Sequence, residues 1–146
     1  MHLFLFFLVL THISLSIAIE DHFLLKFDLY CGLRKKWAYN FMFREWDDIL
    51  HPDDEASSRY QNTTSSPSVN FEVEGKLTDD AGCHYEPYLE IYHTCTHDNN
   101  EVLLLARLPV VPIQKEWYLI SFSLDVSNRK GSIPNHPANV TYGEKW

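Results

Sequence analysis

His93, Cys95 and His97 stand at positions i, i+2 and i+4 of a run that begins Pro87-Tyr88-Leu89-Glu90-Ile91-Tyr92. Side chains two apart on a β-strand share a face, so extended backbone would aim all three the same way. Imidazole and thiolate are ligands for zinc or copper, and His84 or Cys83 could complete a tetrahedral set. Such a centre would serve a metal- or histidine-dependent hydrolase. The same residues have a competing use. In an oxidising compartment Cys95 is consumed in a disulfide, and His93 becomes a half-buried residue hydrogen-bonded to a neighbouring loop. A disulfide removes the thiolate, so the two uses exclude each other. For a Cys95–His93 thiol nucleophile, neither an orienting carboxylate nor an oxyanion hole can be placed from sequence.

Two other groups of residues carry chemical potential. Glu45, Asp47, Asp48, Asp53, Asp54 and Glu55 offer the oxygen donors that calcium takes, but lack the alternation and glycine of an EF-hand loop. Such a run reads as a solvated acidic loop. Trp37, Tyr39, Phe41, Met42, Phe43 and Trp46 supply aromatic and sulfur side chains to both faces of one segment. One face must fill the core. The other, with Met42 and Trp46, is either exposed or covered by a partner, and aromatic residues are enriched among interface anchors.

The elements that would position these groups are strands. Trp37, Tyr39, Phe41 and Phe43 recur at spacing two, as do Val69, Phe71 and Val73, and Tyr118, Ile120, Phe122 and Leu124. Period-two patterns of aromatic and β-branched residues mark half-buried strands. Phe23 to Leu33 reads as another strand and Glu101 to Leu108 as a more buried one, although Glu101, Leu104, Leu105 and Leu108 would also suit a short helix. Asp47 to Ser68 and Asn128 to Trp146 read as loop and irregular tail. About seven short strands predict an all-β, immunoglobulin-like sandwich at residues 19–127, with a tail at 128–146.

Residues 1–18 form an apolar run ending Ser16-Ile17-Ala18, too short for a spanning helix, which needs about 20 apolar residues. Its length and small residues fit a cleaved secretory signal, leaving a mature chain that starts at Ile19. The expected protein is secreted, extracellular and not transmembrane. Two N-glycosylation sequons, at Asn62 and Asn139, agree with that compartment. So do three cysteines, Cys31, Cys83 and Cys95, which allow one disulfide by three pairings and leave one thiol over. That thiol could join two copies into a covalent homo-oligomer. A net charge of −8 opposes long-range attraction to nucleic acid, and Arg34-Lys35-Lys36 is the one short basic cluster.

Val73-Glu74-Gly75 followed by Pro87 to Cys95 resembles the signature of the nematode transthyretin-like family. Leu29-Tyr30-Cys31, Phe41 to Asp48 with Asp53-Asp54, and Phe71 to Gly75 extend the likeness over roughly Phe23 to Leu108. The chain departs at Phe27 and Val69, where members carry glycine, and at Cys83, which has no counterpart. The resemblance implies a small secreted protein with a transthyretin-type β-sandwich, without catalytic residues or a cofactor. It also implies a Cys31–Cys95 disulfide and a Cys83 left over. Such proteins act as extracellular binding or bridging factors, toward a protein or a lipid-surface partner. A purine-pathway hydrolase shares the fold, but its closing Tyr-Arg-Gly-Ser is absent: the corresponding stretch here reads Tyr142-Gly143-Glu144.

Overall fold

The computed structural model describes residues 20–47, 52–78, 83–143 and 145. The signal segment expected at 1–18 and the acidic Asp48 lie outside the described residues. Eleven strands follow one another, without a helix among the described residues: β1 (Glu20–Tyr30), β2 (Trp37–Glu45), β3 (Tyr60–Thr64), β4 (Ser68–Thr78), β5 (His84–Tyr85), β6 (Pro87–His93), β7 (Val102–Arg107), β8 (Val111–Pro112), β9 (Trp117–Asp125), β10 (Gly131–Ile133) and β11 (Asn139–Tyr142). They form a four-stranded sheet in the order β11-β9-β1-β4 and a five-stranded sheet in the order β10-β7-β6-β2-β3, with β5 and β8 as a separate ribbon. The fold is an all-β, immunoglobulin-like sandwich.

Alternation explains the layers. Phe23, Leu25, Phe27 and Leu29 of β1 face inward with Tyr118, Ile120, Phe122 and Leu124 of β9, and all are buried. Trp37, Tyr39, Phe41 and Phe43 of β2 oppose them from the other sheet, joined by Leu89 and Ile91 of β6 and Leu104 and Ala106 of β7. The aromatic rings interlock: Phe27 lies 5.2 Å from Phe41 edge-on, and Phe23 stacks on Tyr118 at 4.4 Å. Each buried aromatic removes on the order of 150–250 Å² from water, the largest favourable contribution a side chain here can make. The segment at 102–107 that also suited a helix is strand β7, held between β6 and β10.

Buried Asp21 fixes one end of the sandwich. Its carboxylate accepts bonds from the Tyr85 hydroxyl (2.9 Å), from the backbone N–H of Gln114 (2.8 Å) and from that of Glu116 (2.7 Å). These bonds hold the 112–117 connection, in which Gln114 and Glu116 take positive φ. Burial foremost, with the Asp21 hydrogen bond and charge added, pushes the Tyr85 phenol well above its ordinary range.

The structure corrects two readings of the chain. The Asp47 to Ser68 region contains strand β3, paired along β2 from Trp37↔Thr64 to Phe41↔Tyr60. The tail expected to be irregular at 128–146 contains β10, paired with β7, and β11, paired with β9, so the sandwich continues well past residue 127. All three are edge strands with little apolar content of their own, and backbone pairing rather than side-chain pattern defines them.

Candidate partner-binding face

The residues first considered for metal chemistry do not converge. Cys95 is bonded to Cys31, with Cα atoms 5.9 Å apart, so its sulfur is not available as a thiolate ligand. His93 is fully buried; its Nδ1 accepts the Cys95 backbone N–H (3.2 Å) and its Nε2 lies 2.9 Å from the Arg129 carbonyl. Because Nδ1 accepts, the proton sits on Nε2 and donates to that carbonyl. Burial depresses the His93 pKa against the opposing pull of the Arg129 bond, so the neutral ring is the native form. His97 is exposed on the turn after β6, where the Arg34 guanidinium holds the Thr96 and His97 carbonyls. His84 is exposed on β5, opposite Pro112 of β8, and Cys83 beside it is an exposed free thiol. The metal-ligand reading of His93, Cys95, His97 and His84 is therefore corrected. No group of three or more His, Cys, Asp or Glu among the described residues could hold a metal ion.

The acidic run is likewise engaged. Asp53 accepts the Asp47 N–H (3.2 Å) on one carboxylate oxygen and the Tyr88 hydroxyl (2.6 Å) on the other. Glu45, at the end of β2, is buried, and its N–H donates to the Asp54 carbonyl (3.0 Å). These residues fasten the 52–57 segment along the end of β2, where Glu55 also bridges Arg44.

What remains is the outward face of the five-stranded sheet. Register places Asn40, Met42 and Arg44 of β2 across from Tyr92, Glu90 and Tyr88 of β6, and these in turn across from Leu103, Leu105 and Arg107 of β7. Glu90 is the hub. Its two oxygens take Arg44 (3.0 Å) and Arg59 (2.9 Å), while Arg59 also donates to the Asn40 side chain (3.0 Å). Arg44 reaches the Asp53 carbonyl through its other terminal nitrogen (2.9 Å). Desolvation works against the Arg44 charge, but Tyr88, Glu90 and Asp53 more than offset it, and its pKa is raised. Burial, with the bond to Asp53, likewise holds the Tyr88 phenol above its usual range.

Aromatic side chains extend this network. The Arg107 guanidinium lies 4.1 Å from the Trp46 ring centroid, and Trp46 meets Tyr88 edge-on at 6.2 Å. Arg59 approaches the Tyr92 ring at 5.9 Å. Trp46 keeps 40% of its surface exposed and Leu103 37%, while Met42 is covered at 6%. The sequence identified Trp46 and Met42 on this face but not the arginines. Their partner Glu90 lies 46 residues from Arg44 and 31 from Arg59, beyond any local pattern.

Comparisons with known proteins are sparse. No family model matches the chain, and no curated protein matches it significantly. One solved structure, from Bacteroides ovatus and provisionally described as a cell adhesion protein, is similar over 86% of this chain at 13% identity and a TM-score of 0.28. The chain spans 44% of that protein's length. No helix among the described residues is long and apolar enough to cross a membrane.

Proposed function

We propose that the chain is a secreted, non-catalytic binding module, a divergent member of the nematode transthyretin-like family, that engages an extracellular protein through the outer face of its five-stranded sheet. The observation that carries this reading is the surface built on Trp46, Arg107, Tyr92, Leu103 and the Arg44–Glu90–Arg59 network. Trp, Tyr and Arg are the side chains most enriched among binding hot spots. Here they are already fixed by hydrogen bonds and ring contacts, so little side-chain entropy is lost on docking. Arg44, Glu90, Tyr92, Leu103 and Arg107 stand on strands, and Trp46 and Arg59 each lie one residue beyond a strand end, which suits a bridging factor that presents one constant surface.

Secretion is supported by the leader at residues 1–18 and by a disulfide of the kind that persists in oxidising compartments. The family reading draws on the Pro87 to Cys95 signature, now seen as β6 and its continuation, and on the pairing of Cys31 with Cys95 that the resemblance implies. The hydrolase alternative loses the thiolate on which it depended.

The test uses the full chain expressed through a secretory pathway. Recovery from the medium with Ile19 at the amino terminus checks the leader. Proximity labelling on cells of the source organism then provides a partner, whose affinity is measured for the native protein and for Trp46→Ala and Leu103→Glu. Either substitution is expected to weaken binding about tenfold or more, with unchanged melting temperature. Equal affinity in all three proteins would place the contact elsewhere.

A further inference from the structure

The two sequons occupy corresponding places in the fold. Asn62 lies on β3, an edge strand of the five-stranded sheet, and Asn139 on β11, an edge strand of the four-stranded sheet. Both asparagines are exposed. The Asn62 side-chain oxygen accepts the Thr63 N–H (2.8 Å), and the amide nitrogen is the atom that would carry a glycan. Asn139 pairs with Ser121 and borders an open groove of about 680 Å³ across the outer face of its sheet. Its lining mixes polar Lys26, Asp28, Asn70 and Ser123 with apolar Phe71 and Pro137, so it offers hydrogen-bond partners and apolar contact to the two faces of a sugar.

The remaining edges are protected by other means. An open edge offers unpaired N–H and C=O groups to a second chain, and proteins blunt it with charge, a covering loop or shortness. Strand β4 carries Glu72, Glu74 and Lys76, and the Lys76 N–H is already taken by the Ala56 carbonyl (2.9 Å) of the crossing loop. Strand β10 is only three residues long. Strands β3 and β11 have neither a charged side chain nor a proline. They are the two edges that hold the sequons.

We propose that Asn62 and Asn139 carry N-linked oligosaccharides that guard these two edges, one per sheet, against strand addition by a second copy of the chain, the Asn139 glycan lying along that groove. This rests on the secreted reading above. The bulk of a branched sugar beside each open ladder blocks approach sterically, and its hydration opposes burial. The guard leaves the outer face of the five-stranded sheet clear, because Asn62 falls on the same register set as the inward-facing Tyr39, opposite to Asn40 and Arg59.

The experiment uses the chain secreted from a glycosylating host, in a Cys83→Ser background so that the free thiol cannot join copies. Peptide mass spectrometry is expected to find both asparagines occupied. Enzymatic trimming of the sugars on the folded protein to the first N-acetylglucosamine, which keeps the asparagine amides and adds no charge, is expected to raise the weight-average mass in light scattering roughly twofold or more, with concentration dependence. Thr64→Ala with Thr141→Ala, which abolishes both sequons and keeps the asparagines, is expected to behave like the trimmed protein. A secreted chain with unmodified asparagines, or a trimmed protein that stays monomeric, overturns the proposal while leaving secretion intact. A chain retained inside the cell overturns both readings.

Discussion

His93 shows how a side chain with catalytic credentials becomes scaffold. Both ring nitrogens are occupied by backbone groups, one from the Cys95 N–H and one to the Arg129 carbonyl, which ties the end of β6 to the connection after β9. Its pKa is lowered from 6.5 by burial. In the range below pH 6.5 the unfolded chain therefore takes up a proton that the folded chain resists. Stability must fall as pH falls through that window. Melting temperatures at pH 7 and pH 5 check this: the native protein is expected to lose stability on acidification, and His93→Phe to lose less. At pH 7 that variant should itself be less stable by about 1–3 kcal/mol, because the Cys95 N–H is left without an acceptor in the interior. Identical pH slopes for the two proteins would assign the titration to another group.

At the scale of elements, connections are held by specific polar and steric devices. Asp21 on β1 organises the 112–117 connection by accepting two backbone N–H groups, and Tyr85 secures the β5–β8 ribbon to the same carboxylate. Asp21→Asn would turn one acceptor oxygen into a donor facing other donors. A loss of about 2–3 kcal/mol is expected in urea unfolding, together with faster amide exchange at Gln114 and Glu116. On β4, Gly75 permits a close approach of backbone to core: a Cβ there would meet the Phe43 ring at 2.7 Å and the Ala56 carbonyl at 2.9 Å. Gly75→Ala is expected to cost about 1–3 kcal/mol by overpacking, since a buried ring and a backbone carbonyl must both shift. A variant as stable as the native chain would show that the 52–57 segment yields easily.

Across the whole molecule, Cys31 and Cys95 join the ends of β1 and β6, and thus one sheet to the other, across 64 residues of chain. A loop of that length removes about 4 kcal/mol of unfolded-state entropy on the chain-entropy account. The double substitution Cys31→Ala, Cys95→Ala should lower the stability by about 2–5 kcal/mol. Reductant should then shift the melting of the native protein but not of the double variant. Cys83→Ala, at an exposed free thiol, should change neither. The parallel pairing of β1 with β9, from His22↔Trp117 to Tyr30↔Asp125, places two buried inward-facing rows side by side at the centre of their sheet. The four edges fall to β3, β4, β10 and β11, of which only β4, through Val73 and Leu77, buries side chains fully in the core.

The sequence by itself determined the class of fold and the inward rows. Alternation is a local property, and Trp37, Phe41, Phe43, Leu89, Ile91, Ile120 and Leu124 are buried as their spacing requires. It also raised the competition between ligand and disulfide at Cys95, since that follows from residue type and compartment. The outcome needed the tertiary structure, because the thiol partner lies 64 residues away and chain separation is not distance. For the same reason the Arg44–Glu90–Arg59 network, the Asp21 cradle and the strands β3, β10 and β11 were not legible beforehand. Edge strands such as Tyr60–Thr64 are stabilised by a neighbour's backbone rather than by their own side chains, so their sequence has no obligation to alternate. The sequons were plain in the sequence, but only the strand order shows that each stands on an otherwise open edge.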